Sequence, residues 1–186
     1  MIVAGGRAEP TGLAPDELTR YLEQAARNGD APAQFRMGAR YDAGVGTAKN
    51  PTLAAEMYLK AAEAGMTEAY PIIATKLEVG LGKPLNLAEA ARWYQEAAKA
   101  GDLPSELKIA AWYARGRGVR KEEGTAATWY ERAAQQGRPA AMYEIGIRYL
   151  DGRGVEKSPE TGLRWLRQAA AKGWEPAQRE LARRGN

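Results

Sequence analysis

Histidine and cysteine most often supply a catalytic base, a thiolate nucleophile or a zinc ligand, and this 186-residue sequence has neither. Disulfides and thiolate metal sites are therefore excluded. The two serines stand at predicted helix starts, Ser105 on an apolar stripe and Ser158 as a cap. Adjacent carboxylates such as Glu122 and Glu123 fall in a predicted exposed loop. The sequence predicts no enzyme activity, no cofactor and no metal, and it leaves a carboxylate-only enzyme as an alternative.

Four G-x-G pairs have the composition of a phosphate-binding loop. A nucleotide-binding loop of this type follows a strand and opens a helix. No strand is predicted before these pairs, and they recur every 36 residues. We therefore interpret them as turns between helices: Gly44/Gly46, Gly80/Gly82, Gly116/Gly118 and Gly152/Gly154.

The charge pattern bears on the class of partner. The net charge is +4, and the basic surplus is spread along the chain. This distribution is typical of a solvated surface rather than of a nucleic-acid footprint. No apolar run approaches the roughly 18–20 residues that span a bilayer, and the first residues carry no secretory signal. The sequence therefore predicts neither nucleic-acid binding nor membrane insertion.

One phrase recurs along the chain. RWYQEAAKAG at residues 92–101 returns as TWYERAAQQG at 128–137 and as RWLRQAAAKG at 164–173, in steps of 36 residues. A repeat of fixed period is the signature of a solenoid or an array. The phrase has a bulky residue at its second position, a double alanine at its sixth and seventh, and a glycine at its end. The bulky positions are Tyr21, Met57, Trp93, Trp129 and Trp165.

Each 36-residue repeat reads as two amphipathic helices, because apolar residues recur at helical spacing, as at 90–98. Asn50, Asn86 and Ser158 are predicted N-caps, and the glycine after each double alanine predicts a left-handed C-terminal cap. A two-helix repeat cannot bury its own apolar stripe, so it stacks on the next repeat. Trp129 is accordingly predicted to be buried between the third and fourth repeats.

Together these patterns resemble the Sel1-like repeat, a relative of the tetratricopeptide repeat. The copy at 141–173 follows the family pattern apart from Gly162 and Leu166. The repeat beginning at Ala69 departs most, with Pro71 and a GLGK turn, and we expect it to pack less regularly. The resemblance implies an all-α, right-handed superhelical solenoid of antiparallel helix pairs, found in many bacterial proteins and used mainly to bind other proteins.

The predicted organisation is an irregular or disordered segment over 1–14 followed by one solenoid domain over 15–186. The predicted parts of the solenoid are a helix over 16–28, repeats over 33–68, 69–104, 105–140 and 141–176, and a capping helix over 177–184.

The first helix of each repeat supplies the predicted binding surface. By the geometry that the resemblance implies, its third, seventh and tenth positions line the concave face. Tyr143, Ile147 and Leu150 are apolar there without being needed by the predicted core, and a basic row runs beside them. The predicted partner-binding residues are Phe35, Leu107, Tyr143, Ile147, Leu150, Arg40, Lys76, Trp112, Arg148 and Arg184. The alternatives are a solvated row with stray hydrophobic residues, or a patch covered by residues 1–14.

The sequence thus predicts a monomeric, non-catalytic interaction module or adaptor that binds a protein or peptide with acidic groups. The alternatives are an inhibitor or immunity-type protein that blocks one enzyme, and an accessory domain. The expected compartment is the bacterial cytoplasm, or the periplasm if a signal has been removed.

Overall fold

The computed structural model describes residue 12 and residues 14–185, and these residues contain ten α-helices and no strand. The helices are α1 (Pro15–Arg27), α2 (Ala31–Ala43), α3 (Pro51–Glu63), α4 (Ala69–Val79), α5 (Leu87–Lys99), α6 (Leu103–Arg115), α7 (Glu123–Gln135), α8 (Pro139–Asp151), α9 (Pro159–Ala171) and α10 (Glu175–Arg183). The prediction of an all-α fold is confirmed. The segment predicted over 1–14 lies, apart from Gly12 and Ala14, outside the described residues.

The structure divides into two compact units between Ala97 and Ala98, called here unit 1 and unit 2. In unit 1, α1 packs on α2, α2 on α3, and α3 on α4. In unit 2, α6 packs on α7, α7 on α8, α8 on α9, and α9 on α10. Within this set, helices that follow one another in the sequence pack together, as expected where short loops join antiparallel helices.

The predicted N-caps and left-handed C-terminal glycines are confirmed. The side chains of Asn50, Asn86 and Ser158 each accept a hydrogen bond from the backbone N–H three residues later, at 3.1, 3.1 and 3.3 Å. The glycines after the double alanines have φ angles between +81° and +95°, a backbone conformation that residues with a side chain adopt only with strain. These glycines are Gly29, Gly65, Gly101, Gly137 and Gly173.

The irregular repeat differs at the start of α4. This helix has 11 residues and begins at Ala69, whereas α2 has 13 and begins at Ala31, the equivalent of residue 67. Pro71 explains the later start. In a helix that began at residue 67 it would be the fifth residue, and its missing N–H would remove a helical hydrogen bond. Beginning at Ala69 places Pro71 in the first turn. The following turn keeps both left-handed glycines, Gly80 and Gly82.

Alanine dominates the core of unit 2, with Ile145 and Leu166 fully enclosed. Trp129 packs against this core but is only half-buried, which corrects the prediction of full burial. In unit 1 the equivalent Trp93 is 5% exposed and lies against the Tyr70 ring at a centroid distance of 5.5 Å. One repeat later Glu106 stands in place of Tyr70, so Trp129 lacks that aromatic cover.

Candidate functional site

Lys76, predicted on an exposed basic row, is turned into unit 1. Only 5% of it is exposed, and its Nζ atom lies 2.7 Å from Asp42 Oδ1. The same ammonium group lies 5.6 Å from the centroid of the Tyr58 ring. Burial and the charge of Asp42 raise the pKa of Tyr58 to about 12. Lys76 is therefore held by its own repeats.

Arg148 occupies the equivalent place in unit 2 and is 2% exposed. Its guanidinium nitrogen lies 2.6 Å from Glu123 Oε2, and the group lies 5.0 Å from the centroid of the Tyr130 ring. The hydrogen bond from Arg148 lowers the pKa of Glu123, and burial is the main cause that raises the pKa of Tyr130 to about 12. A buried tyrosine face and a carboxylate thus hold the cation in both units.

The other members of the predicted row are also engaged. Arg40 donates to Thr19 Oγ1 at 2.8 Å and to the Pro15 carbonyl oxygen at 2.5 Å. Arg184 donates to Glu180 Oε1 at 2.6 Å. Trp112 is 4% exposed, beneath the Arg117 guanidinium group at 4.9 Å. The prediction of a free basic edge is therefore corrected, because Lys76 and Arg148 are buried ion-pair partners.

Leu150 is a core residue. It is 7% exposed and belongs to the buried cluster of unit 2, so the prediction that the core does not need it is wrong. A Cβ atom on Gly162 would come within 2.7 Å of the Leu150 side chain. The sequence held the signal, since two positions of this repeat change together: Gly162 replaces the alanine of the other repeats, and Leu150 replaces Asp42, Glu78 or Ala114.

Four predicted apolar residues are half-buried. Phe35, in unit 1, lies edge-on to the Tyr58 ring at a centroid distance of 5.4 Å. In unit 2, Leu107 on α6 and Tyr143 and Ile147 on α8 pack against the margin of the core. We call Leu107, Tyr143 and Ile147 the apolar face of unit 2.

The start of α6 contains a fully buried carboxylate that the sequence analysis missed. Glu106 is 0% exposed, and its oxygens lie 2.9 Å from Arg132 Nε and 2.9 Å from Gln136 Nε2. The signal was an acidic residue at a position that holds Gln34, Tyr70 or Met142 in other repeats. Because Arg132 on α7 and Gln136 at the C-cap of α7 both engage the carboxylate, its role is to fix α6 against α7.

The described residues contain no group of three or more acidic side chains placed to hold a metal ion. None of the described helices has the length and apolar character that crossing a membrane requires.

Comparison with known proteins identifies the family to which the repeats are similar. A model of the Sel1 repeat family matches residues 20–30, 31–66, 77–102, 104–137 and 139–174. A protective antigen present in uropathogenic Escherichia coli strains, displaying an SLR fold, is 30% identical, with a TM-score of 0.79, over 91% of this chain and 36% of that one. A Sel1 repeat protein from Oxalobacter formigenes is 34% identical, with a TM-score of 0.76, over 90% of this chain and 69% of that one.

The chain thus spans about a third of the length of the first structure. No curated protein matches the sequence. The structural likeness confirms the predicted repeat solenoid.

Proposed function

Because the chain belongs to the Sel1 repeat family, we propose that it is a non-catalytic protein-interaction module that binds its partner at the apolar face of unit 2. Sel1 repeats generally mediate protein–protein interactions and are generally scaffolds rather than enzymes. The supporting observation is that Leu107, Tyr143 and Ile147 each leave part of an apolar side chain open to solvent. Partly open aromatic and aliphatic side chains anchor partners at interfaces.

The partner segment carries apolar side chains and an acidic group in this proposal. The repeat places Arg179 and Arg183 of α10 at the positions that Tyr143 and Ile147 hold on α8. Both arginines are exposed. Arg179 is only loosely paired, 4.0 Å from Glu175, whereas Arg183 donates to Glu180 at 2.7 Å and shares its charge between Glu180 and the partner. Exposed ion pairs contribute about 0–1 kcal/mol each, so the apolar anchors supply most of the affinity and the arginines orient the segment.

The test compares partner capture by variants in the intact chain. Tyr143→Ala with Ile147→Ala removes two anchors and should abolish capture of the proteins that the wild-type chain retains from its native cell. The matched control is Arg164→Ala with Gln168→Ala, two exposed residues of α9. The control should retain the same proteins, and circular dichroism should show equal helicity in all three chains.

Because Tyr143 and Ile147 also touch the core, the double variant should melt a few degrees lower, so capture is measured well below that transition. A wild-type chain that retains no protein above the level of an unrelated helical bait would overturn the interaction proposal. Equal retention by the double variant would place the partner on another surface and overturn the assignment of the face.

A further inference from the structure

Unit 1 contains a small cleft where α1, α2 and α3 meet. Its volume is about 80 Å³. Met37, 1% exposed, and Ala26, 8% exposed, are buried apolar lining residues. The complete lining is Glu23, Ala26, Arg27, Met37, Tyr41, Met57 and Lys60.

The cleft coincides with a substitution in the repeat. Met57 stands at the position that Trp93, Trp129 and Trp165 occupy in the following repeats. The surrounding frame is unchanged, since the Tyr41 hydroxyl donates to Glu23 at 3.2 Å and the equivalent Tyr149 donates to Glu131 at 3.1 Å. A methionine side chain is smaller than an indole, so this repeat leaves space where a tryptophan would add volume.

The charges at the cleft also depart from the repeat. Arg27 and Lys60 are exposed and line the opening, whereas the equivalent residues of unit 2 are Gln135 and Gln168. The single acid of the lining, Glu23, already accepts the Tyr41 hydroxyl. The opening therefore combines two cations with an apolar floor, and this combination favours a ligand that is aliphatic and anionic.

We propose that this cleft binds one aliphatic side chain of a partner peptide, with a neighbouring carboxylate of that peptide held by Arg27 and Lys60. The volume exceeds the ~10–15 Å³ that one water molecule requires and falls below the ~150 Å³ cavity that accepts benzene, which suits one branched aliphatic group. Charge-assisted hydrogen bonds to the two cations orient the peptide. This proposal rests on the proposed function only in taking a peptide as the ligand, because the surface is a separate one.

The experiment uses methionine methyl groups as reporters. The full chain is labelled with ¹³C at the methionine methyls and titrated with acetyl-Asp-Leu-Asp-amide. We expect saturable shifts of the Met37 and Met57 methyl signals, while that of Met142, buried in unit 2, stays in place. The neutral peptide acetyl-Asn-Leu-Asn-amide and the truncated peptide acetyl-Asp-Ala-Asp-amide should each shift the signals much less.

Two variants test the two parts of the cleft. Met57→Trp inserts the residue of the other repeats and should abolish the response of Met37. Arg27→Gln with Lys60→Gln inserts the residues of unit 2, which the same frame accommodates, and should weaken binding roughly fivefold or more. Thermal melts test whether both variants are folded. If Met57→Trp does not fold, the double glutamine variant still tests the proposal.

The proposal is overturned if neither Met37 nor Met57 responds up to about 10 mM acidic peptide, a concentration at which even weak specific binding is visible. It is equally overturned if the neutral or truncated peptide binds as well as the acidic leucine peptide. The Tyr143→Ala, Ile147→Ala chain should give an unchanged titration. Failure of the cleft proposal would thus leave the proposal of partner capture at the apolar face of unit 2 unaffected. Failure of partner capture at that face would likewise leave the cleft proposal unaffected.

Discussion

Arg148 and Lys76 show how single residues of this chain hold a charge inside a repeat. Each lies over a buried tyrosine ring of the preceding helix and pairs with a carboxylate, Glu123 or Asp42. Arg148 is nearly enclosed, while the Glu123 side chain remains 30% exposed. The carboxylate therefore stays hydrated in part, which lowers the cost of burying the pair.

Arg148→Ala should lower the free energy of unfolding by roughly 1–3 kcal/mol, because it uncovers the Tyr130 ring and leaves Glu123 without its partner. Urea denaturation followed by circular dichroism measures the change. Arg164→Ala, at an exposed arginine of α9, serves as the control and should stay within about 0.5 kcal/mol of wild type. Indistinguishable midpoints for the two variants would show that the buried pair contributes nothing.

Glu180 makes the stability of α10 depend on pH. The hydrogen bond from Arg183 is the largest cause that lowers the pKa of Glu180, from 4.5 to about 2, and Arg184 adds to it. A depressed pKa in the folded state stabilises the protein above the unfolded value and loses that effect as the pH falls. The window for this group is therefore pH 4.5 down to about 2.

Glu180→Gln should lower the melting temperature at pH 7, and the difference from wild type should shrink between pH 4.5 and about 2, where the wild-type carboxylate takes up its proton. Melting curves at matched ionic strength across this range give the comparison. A difference that stays constant with pH would contradict the assignment of the ion pairs to Glu180.

At the scale of the elements, the second glycine of a G-x-G turn packs against the start of the helix that precedes its repeat. A Cβ atom on Gly82 would overlap the Pro51 carbonyl oxygen at the start of α3. Gly46 meets Pro15 in the same way, and Gly154 meets Glu123. The turn thus requires glycine for close approach as well as for its positive φ angle.

Gly82→Ala should therefore be more destabilising than Gly65→Ala. Gly65 has a φ of +88° with no atom within 4 Å of a built Cβ, so its substitution should cost only the left-handed backbone strain of about 1–2 kcal/mol. Gly82→Ala adds a steric overlap with backbone and should cost roughly 3–5 kcal/mol. Denaturant unfolding of both variants decides the matter, and equal losses would mean that the close approach carries no energy.

For the whole molecule, the sequence predicted the fold well because one period governs helices, caps and turns together. The repeated stripe at 90–98 and the glycines after the double alanines each specify local structure without reference to the rest of the chain. The start of α4 was not predicted, although Pro71 contains its physical reason.

The binding surface was harder to predict, because exposure depends on which partner each side chain finds in another helix. A helical position alone gave Leu150 and Arg148 as surface residues. Gly162 opens space for the first, and Tyr130 with Glu123 encloses the second. Two positions that change together in one repeat, such as Leu150 and Gly162, indicate a packing contact that helical periodicity alone does not predict.

Chelation should leave the folded protein unchanged. The fold is held by packing of alanine and aromatic side chains, and the described residues form no acidic cluster that would bind a metal. We expect the melting temperature in excess EDTA to match the untreated value within about 1 °C, in contrast to metal-dependent domains, which chelators unfold. Recovery of a lost transition on adding calcium or magnesium would contradict this expectation.

The contact of Gly46, Gly82 and Gly154 with the start of the helix that precedes the repeat also bears on how such a chain evolves. A codon inserted or lost within the turn would displace Gly82 from Pro51 and misplace the helices that follow. In-frame duplication or recombination of a whole 36-residue repeat leaves every such contact intact. Lineages carrying this chain should therefore differ in the number of repeats far more readily than in the length of one repeat. New surfaces should arise by divergence among copies, at positions such as the one that holds Met57 in one repeat and Trp165 in another.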